Sequence, residues 1–84
     1  MSRRIEYSRE ALRTLARIDR KTAEHIVGKV EQLAADPGSL ANNVRSLKGG
    51  DGLMRLRVGD WRVIYEDGVV LDIVRIASRG SAYD

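Results

Sequence analysis

Hydrophobic and polar positions alternate most regularly between Leu53 and Tyr65, where two runs of β-prone residues flank Gly59-Asp60. A period of two broken by Gly-Asp predicts a tight β-hairpin. With those two residues as the loop, Val58 faces Trp61, Arg57 faces Arg62, Leu56 faces Val63, Arg55 faces Ile64 and Met54 faces Tyr65. Successive side chains point to opposite sides of a sheet. One face therefore collects Met54, Leu56, Val58, Trp61, Val63 and Tyr65, and the other Arg55, Arg57, Arg62 and Ile64.

Upstream the period changes. Arg4 to Tyr7 reads as a short strand, and Ser8 is placed to cap a helix carrying Ala11, Leu12, Leu15, Ala16 and Ile18 on its apolar side. Arg9, Arg13 and Arg17 recur every fourth residue on the polar side, a basic stripe that fits a solvated helix surface. Asp19 caps a second helix, in which Ala23, Ile26, Val27, Val30, Leu33 and Ala34 form an i, i+3, i+4, i+7 stripe that stops at Asp36-Pro37-Gly38. The link near Ile18 to Arg20 is short enough to impose an antiparallel helical hairpin, whose apolar stripe needs a sheet to cover. Ser39 to Gly52 reads as a loop pegged by Val44 and Leu47, with Lys48 at its rim beside the Gly49-Gly50-Asp51-Gly52 cluster. Asp67-Gly68 marks a second turn, and Val69 to Arg79 a final strand. Extending the hairpin register puts Val70, Val74 and Ile76 toward the helices and Leu71, Ile73, Arg75, Ala77 and Arg79 on the arginine side. That register also turns Asp72 toward the core, where a carboxylate needs a cationic partner, or else the turn is displaced by one residue.

A chain of 84 residues supports one domain with a single core and an open rather than enclosed site. No apolar run approaches a membrane span and no signal-peptide pattern opens the chain, so a soluble, cytoplasmic protein is expected. Cysteine is absent and the lone His25 falls on the polar side of its helix, which leaves neither a disulfide nor a credible metal site, and no cofactor is expected. The net charge of +3 is carried largely by arginine, whose planar fork suits phosphate and also an acidic protein surface.

Arginines side by side on one sheet face repel unless solvent or an anion relieves them. The same pattern fits a solvated face whose arginine stems cover apolar surface. Arg55, Arg57, Arg62 and Arg79, joined by Arg75 on the last strand and by a Tyr83 brought back at Gly80, have the parts to bind a phosphodiester. RNA carries its own nucleophile in the 2′-hydroxyl, so a protein need only stabilise the pentacoordinate phosphate and move two protons. Arginine does the first and stays protonated. Tyr83, its phenol acidified by neighbouring guanidinium groups, is the candidate base, with stacking on a nucleobase as its other role.

The run Leu53 to Tyr65, the strand ending Ile76-Ala77-Ser78-Arg79, the tyrosine four residues on, the two-helix start and the Leu47-Lys48-Gly49-Gly50 approach together resemble the RelE/ParE superfamily of toxins over essentially the whole chain. The resemblance implies a single α+β domain, with an N-terminal strand and an antiparallel two-helix hairpin packed on a small, mainly antiparallel β-sheet. It implies the toxin of a type II toxin–antitoxin pair, silenced by a cognate antitoxin. RelE-like members cleave mRNA on the ribosome and leave a cyclic phosphate. ParE-like members poison DNA gyrase by binding, and a third reading is a catalytically weak member that only binds RNA or a partner. By position, Arg62 corresponds to the group that stabilises the transition-state phosphate, Arg79 to a phosphate or leaving-group contact, and Tyr83 to the group that activates the 2′-hydroxyl or stacks on a base. Arg55 and Leu53 stand where the RelE prototype has lysines, and Ser78 where many members have histidine or another basic residue. Retention of Arg62, Arg79 and Tyr83 together favours the RNA-cleaving branch, with Arg55 as a fourth catalytic candidate and Arg57, Lys48 and Arg75 as RNA contacts.

Overall fold

Local chemistry sets both helices. The Ser8 side chain accepts from the Ala11 amide and opens α1, Arg9–Arg17, while the Asp19 carboxylate accepts from the Thr22 amide and opens α2, Arg20–Ala35. In this computed structural model, which describes residues 2–47 and 52–79, the helices follow strand β1, Ile5–Tyr7. A 3-10 segment, Pro37–Asn43, follows them, with proline at its start as a residue that ends an α-helix without losing a needed amide. The strands β2, Val44–Ser46, β3, Leu53–Val58, β4, Trp61–Asp67, and β5, Leu71–Ser78, complete the elements of the described residues. The five strands lie in the order β1-β5-β4-β3-β2, antiparallel except for the β1–β5 pair. This is the expected α+β architecture.

Ile26, Val30, Leu33 and Ala34 of α2 are buried against Leu56, Val58, Val63, Tyr65, Leu71, Ile73 and Ile76 of the sheet. Each fully buried aliphatic side chain contributes about 1.5–3 kcal/mol. On α1 the inward line is Ala11, Leu15 and Ile18; Leu12, expected in that stripe, is 54% exposed because it sits one residue off the i, i+4, i+7 line. The segment after α2 is more ordered than the expected loop. Leu40 is buried within the 3-10 turn, and Val44-Arg45-Ser46 pairs with β3 as an edge strand, with Val44 against the core and the Leu47 amide bonded to the Leu53 carbonyl.

The β3–β4 register is the one read from the alternation, from Val58↔Trp61 to Met54↔Tyr65. Gly59 has φ of +59° and Asp60 does not have positive φ, the pattern of a II′ turn, which needs glycine at its first central position. The last strand departs from the extrapolated register. Ile64 pairs with Arg75 but Tyr65 pairs with Ile73, so Val74 is an extra, bulged residue. The bulge turns Leu71 and Ile73 into the core and sends Asp72 to the outer face opposite Glu66, removing the burial of an unpaired carboxylate that a regular strand imposes. Ser8 secures it: its amide donates to the Ile73 carbonyl at 2.8 Å and its hydroxyl to the Val74 carbonyl at 2.6 Å. One serine thus starts α1 and fixes the irregular point of β5. Two core-side tyrosines have raised pKa values: burial first and Glu31 second lift Tyr7, and burial, then Asp67, lift Tyr65 to about 12 against a lowering by Arg3.

Candidate functional site

On the sheet face away from the helices, strand register alone sets the arginines in rows. Arg45, Arg55, Ile64 and Arg75 follow one another across β2, β3, β4 and β5, and Arg57, Arg62 and Ala77 form the next row toward the β3–β4 turn. Behind them, Glu66 is opposite Asp72, which is opposite Glu6. The outer face is therefore divided into a basic part near the hairpin tip and an acidic part at the far end.

The basic part is concave. Arg45, Arg55, Arg57 and Arg62 line a cavity of about 150 Å³ with Asn42 and Asn43, and among the described residues no carboxylate lines it. This space is large enough to admit a phosphate group. Four guanidinium forks and two side-chain amides present donors suited to phosphate oxygens. The Arg62 guanidinium is held in place: Nη1 donates to the Gly59 and Trp61 carbonyls, both at 3.0 Å, so the turn that creates the hairpin also orients this arginine. The Asn43 amide donates to the Arg57 carbonyl at 3.4 Å and ties the 3-10 segment to β3. The Arg79 amide donates to the Asp60 carbonyl at 2.7 Å, anchoring Arg79 beside the hairpin tip though not in the cavity lining.

Arg55, Arg57 and Arg62 thus come together. Arg75 shares the face by register, yet its guanidinium forms an ion pair with Glu10 of α1 at 3.4 Å and lines a different groove, between α1 and β5. Lys48 and Tyr83 lie outside the described residues. His25 is exposed and lines a shallow groove with Lys21, Asp60 and Trp61, away from the arginine cavity. Arg45, Asn42 and Asn43 were not among the expected site residues. The signal was present in Val44-Arg45-Ser46, one short alternation of apolar-in and polar-out, hidden because three residues are too few to read as a strand. Among the described residues no group of three or more His, Cys, Asp or Glu is placed to hold a metal ion, and no helix is long and apolar enough to cross a membrane.

No curated protein matches the chain. Among solved structures it is similar to a chain of the archaeal RelE–RelB complex from Pyrococcus horikoshii, with a TM-score of 0.78, 25% identity, and coverage of 98% of this chain and 100% of that one. It is similar to a chain of the intact Escherichia coli RelBE toxin–antitoxin complex, with a TM-score of 0.75, 15% identity, and coverage of 92% and 96%. A chain of the chromosomal ParDE system from Pseudomonas aeruginosa gives a TM-score of 0.68 at 18% identity, with coverage of 92% and 96%. The family model for the ParE toxin of the type II toxin–antitoxin system parDE matches residues 5–83. With nearly the whole chain matched by that model and the fold shared with both RelE and ParE complexes, this protein belongs to the ParE toxin family, within the RelE/ParE superfamily of type II toxin–antitoxin toxins.

Proposed function

We propose that this toxin is an endoribonuclease that cleaves mRNA on the ribosome. The observation that supports it is the cavity lined by Arg45, Arg55, Arg57 and Arg62, with no carboxylate in its lining among the described residues. In the proposed reaction the 2′-hydroxyl attacks the adjacent phosphorus, its proton passes to Tyr83 acting as phenolate, and the P–O5′ bond breaks as the 5′-oxygen takes up a proton from water. The products are a 2′,3′-cyclic phosphate and a 5′-hydroxyl. Arg62, pinned over the turn, meets the charge that develops on the phosphate, and Arg55 adds to it. Arg79 contacts the phosphate or the leaving group, and Arg57 and Lys48 hold flanking backbone. All these groups act as donors or proton carriers, so the scheme assigns no step to a metal or cofactor.

A cognate antitoxin is the protein partner, as the RelE–RelB and ParDE complexes support. Its binding segment combines acidic with apolar residues and covers the arginine face or displaces the C-terminal tail. The toxin acts in the cytoplasm, where its target is translated.

In the test, Arg62→Ala and Arg79→Ala each relieve growth arrest on expression while the purified domain keeps its circular dichroism spectrum. Full arrest by the folded double variant removes this site from the mechanism. A second reading, a DNA gyrase inhibitor acting by protein binding, is favoured by the ParE identity of the matching family model. A supercoiling assay with purified gyrase separates the two, because the nuclease leaves supercoiling untouched.

A further inference from the structure

Among the described residues, several ion pairs engage the helices and sheet edges. Arg3 pairs with Asp67, Arg4 with Glu6, Arg20 with Glu24 and Arg75 with Glu10. Arg13, Arg17 and Lys21 are exposed and have no hydrogen-bond or ion-pair partner among the described residues. They lie far from the arginine cavity in sequence and line none of it. Arg13 and Arg17 line the groove between α1 and β5, with Thr14, Ile18 and Trp61. Lys21 lines the neighbouring groove at the start of α2, with Thr22, His25, Asp60 and, again, Trp61. The residues that recur every fourth position along the two helices are therefore gathered on either side of one half-buried indole.

We propose that Arg13, Arg17 and Lys21, arranged around Trp61, form a second RNA-binding surface that holds the phosphate backbone of a single-stranded or unstacked segment with a base against the indole. Cations that track a backbone, combined with an aromatic ring, are the combination that sequence-tolerant RNA binding uses. Two carboxylates border the surface. Glu10 is neutralised by Arg75, which leaves Asp60 opposed to three fixed cations and a histidine. The proposal rests on RNA being the ligand class of this toxin, and it adds a contact independent of the cleavage cavity.

Trp61 is the only tryptophan in the chain, so its fluorescence reports on this surface directly. The full-length protein is titrated with a 2′-O-methyl RNA 12-mer, which binds without offering a 2′-hydroxyl nucleophile. Saturable quenching is expected for the wild type; an Arg45→Gln/Arg57→Gln variant, whose cavity is depleted, is expected to bind the RNA more weakly and still to quench. Arg13→Gln/Arg17→Gln/Lys21→Gln, built from exposed positions with a good helix former, is expected to bind at least tenfold more weakly. Its salt slope is expected to fall by about 2, from roughly 0.7 per phosphate contact on single strands. Quenching unchanged in the triple variant, or absent from the wild type, overturns the proposal. So does stronger quenching by polyglutamate than by the RNA, which reassigns the surface to an acidic protein. The nuclease reading has its own readout in strand scission: quenching without scission leaves this surface standing, and scission without quenching removes it alone.

Discussion

Arg57→Gln separates a functional arginine cluster from a merely solvated one, because it shifts stability and binding in opposite directions. Arg57 lies directly opposite Arg62 across β3 and β4, as Arg45 lies opposite Arg55 across β2 and β3. Its side chain is exposed and has no hydrogen-bond or ion-pair partner among the described residues. Two like charges about 6 Å apart in a water-like medium repel by about 0.7 kcal/mol, within the roughly 0.2–1 kcal/mol range of cross-strand pairs. Glutamine keeps part of the apolar stem and removes the charge. At low salt the variant is therefore expected to be about 0.5–1 kcal/mol more stable, a rise of roughly 2–8 °C in melting temperature for a domain this small. At about 1 M salt, where the screening length falls to roughly 3 Å, the gain disappears. The same protein is expected to bind RNA more weakly, with a salt slope reduced by about 0.7–0.9. Thermal melts at two salt concentrations and a binding titration decide the matter. A variant that melts below the wild type at low salt and keeps its RNA salt slope refutes the argument, since the arginine stem then serves only to cover the sheet.

Three further outcomes concern the frame that holds the site. The Tyr7 hydroxyl is buried without a partner among the described residues, so Tyr7→Phe is expected to raise stability by about 1 kcal/mol in urea unfolding, and a loss of that size shows that the hydroxyl is bonded. Ser8→Ala removes both the α1 cap and the bond to the bulged Val74 carbonyl, and is expected to lower stability by about 1–2 kcal/mol, a result checked by the same assay. Tyr65 holds its proton up to about pH 12 in the folded protein but only to about pH 10 when unfolded, so the folded state binds more protons in that window. Its contribution is complete below pH 10 and is lost as the pH rises toward 12; the stability difference between wild type and Tyr65→Phe is expected to change across that window and to stay flat below it.

The hairpin could be read from sequence because a strict alternation and a Gly-Asp turn together admit one register, and the observed pairs from Val58↔Trp61 to Met54↔Tyr65 follow it. The helix starts at Ser8 and Asp19 were legible for a similar reason, since a hydroxyl or carboxylate before an apolar stripe satisfies the first free amides. What escaped were features that depend on distant neighbours. Nothing local marks Val74 as a bulge; the signal was the misplaced Asp72, a conflict that only pairing with β4 resolves. Arg45 joined the cavity because β3 supplies an edge for three residues that alone look like a loop. Arg75 sits on the expected face but turns to Glu10, a choice made by the position of α1.

The most direct test of the nuclease proposal maps RNA ends in a reconstituted translation reaction. Wild-type toxin is added to ribosomes stalled on a defined mRNA, and the new termini are sequenced and their 3′ chemistry identified. Breaks inside the codon being read, ending in a 2′,3′-cyclic phosphate and lost with Arg62→Ala, are the predicted result. Intact mRNA under the same conditions, together with blocked gyrase supercoiling by the same preparation, contradicts it.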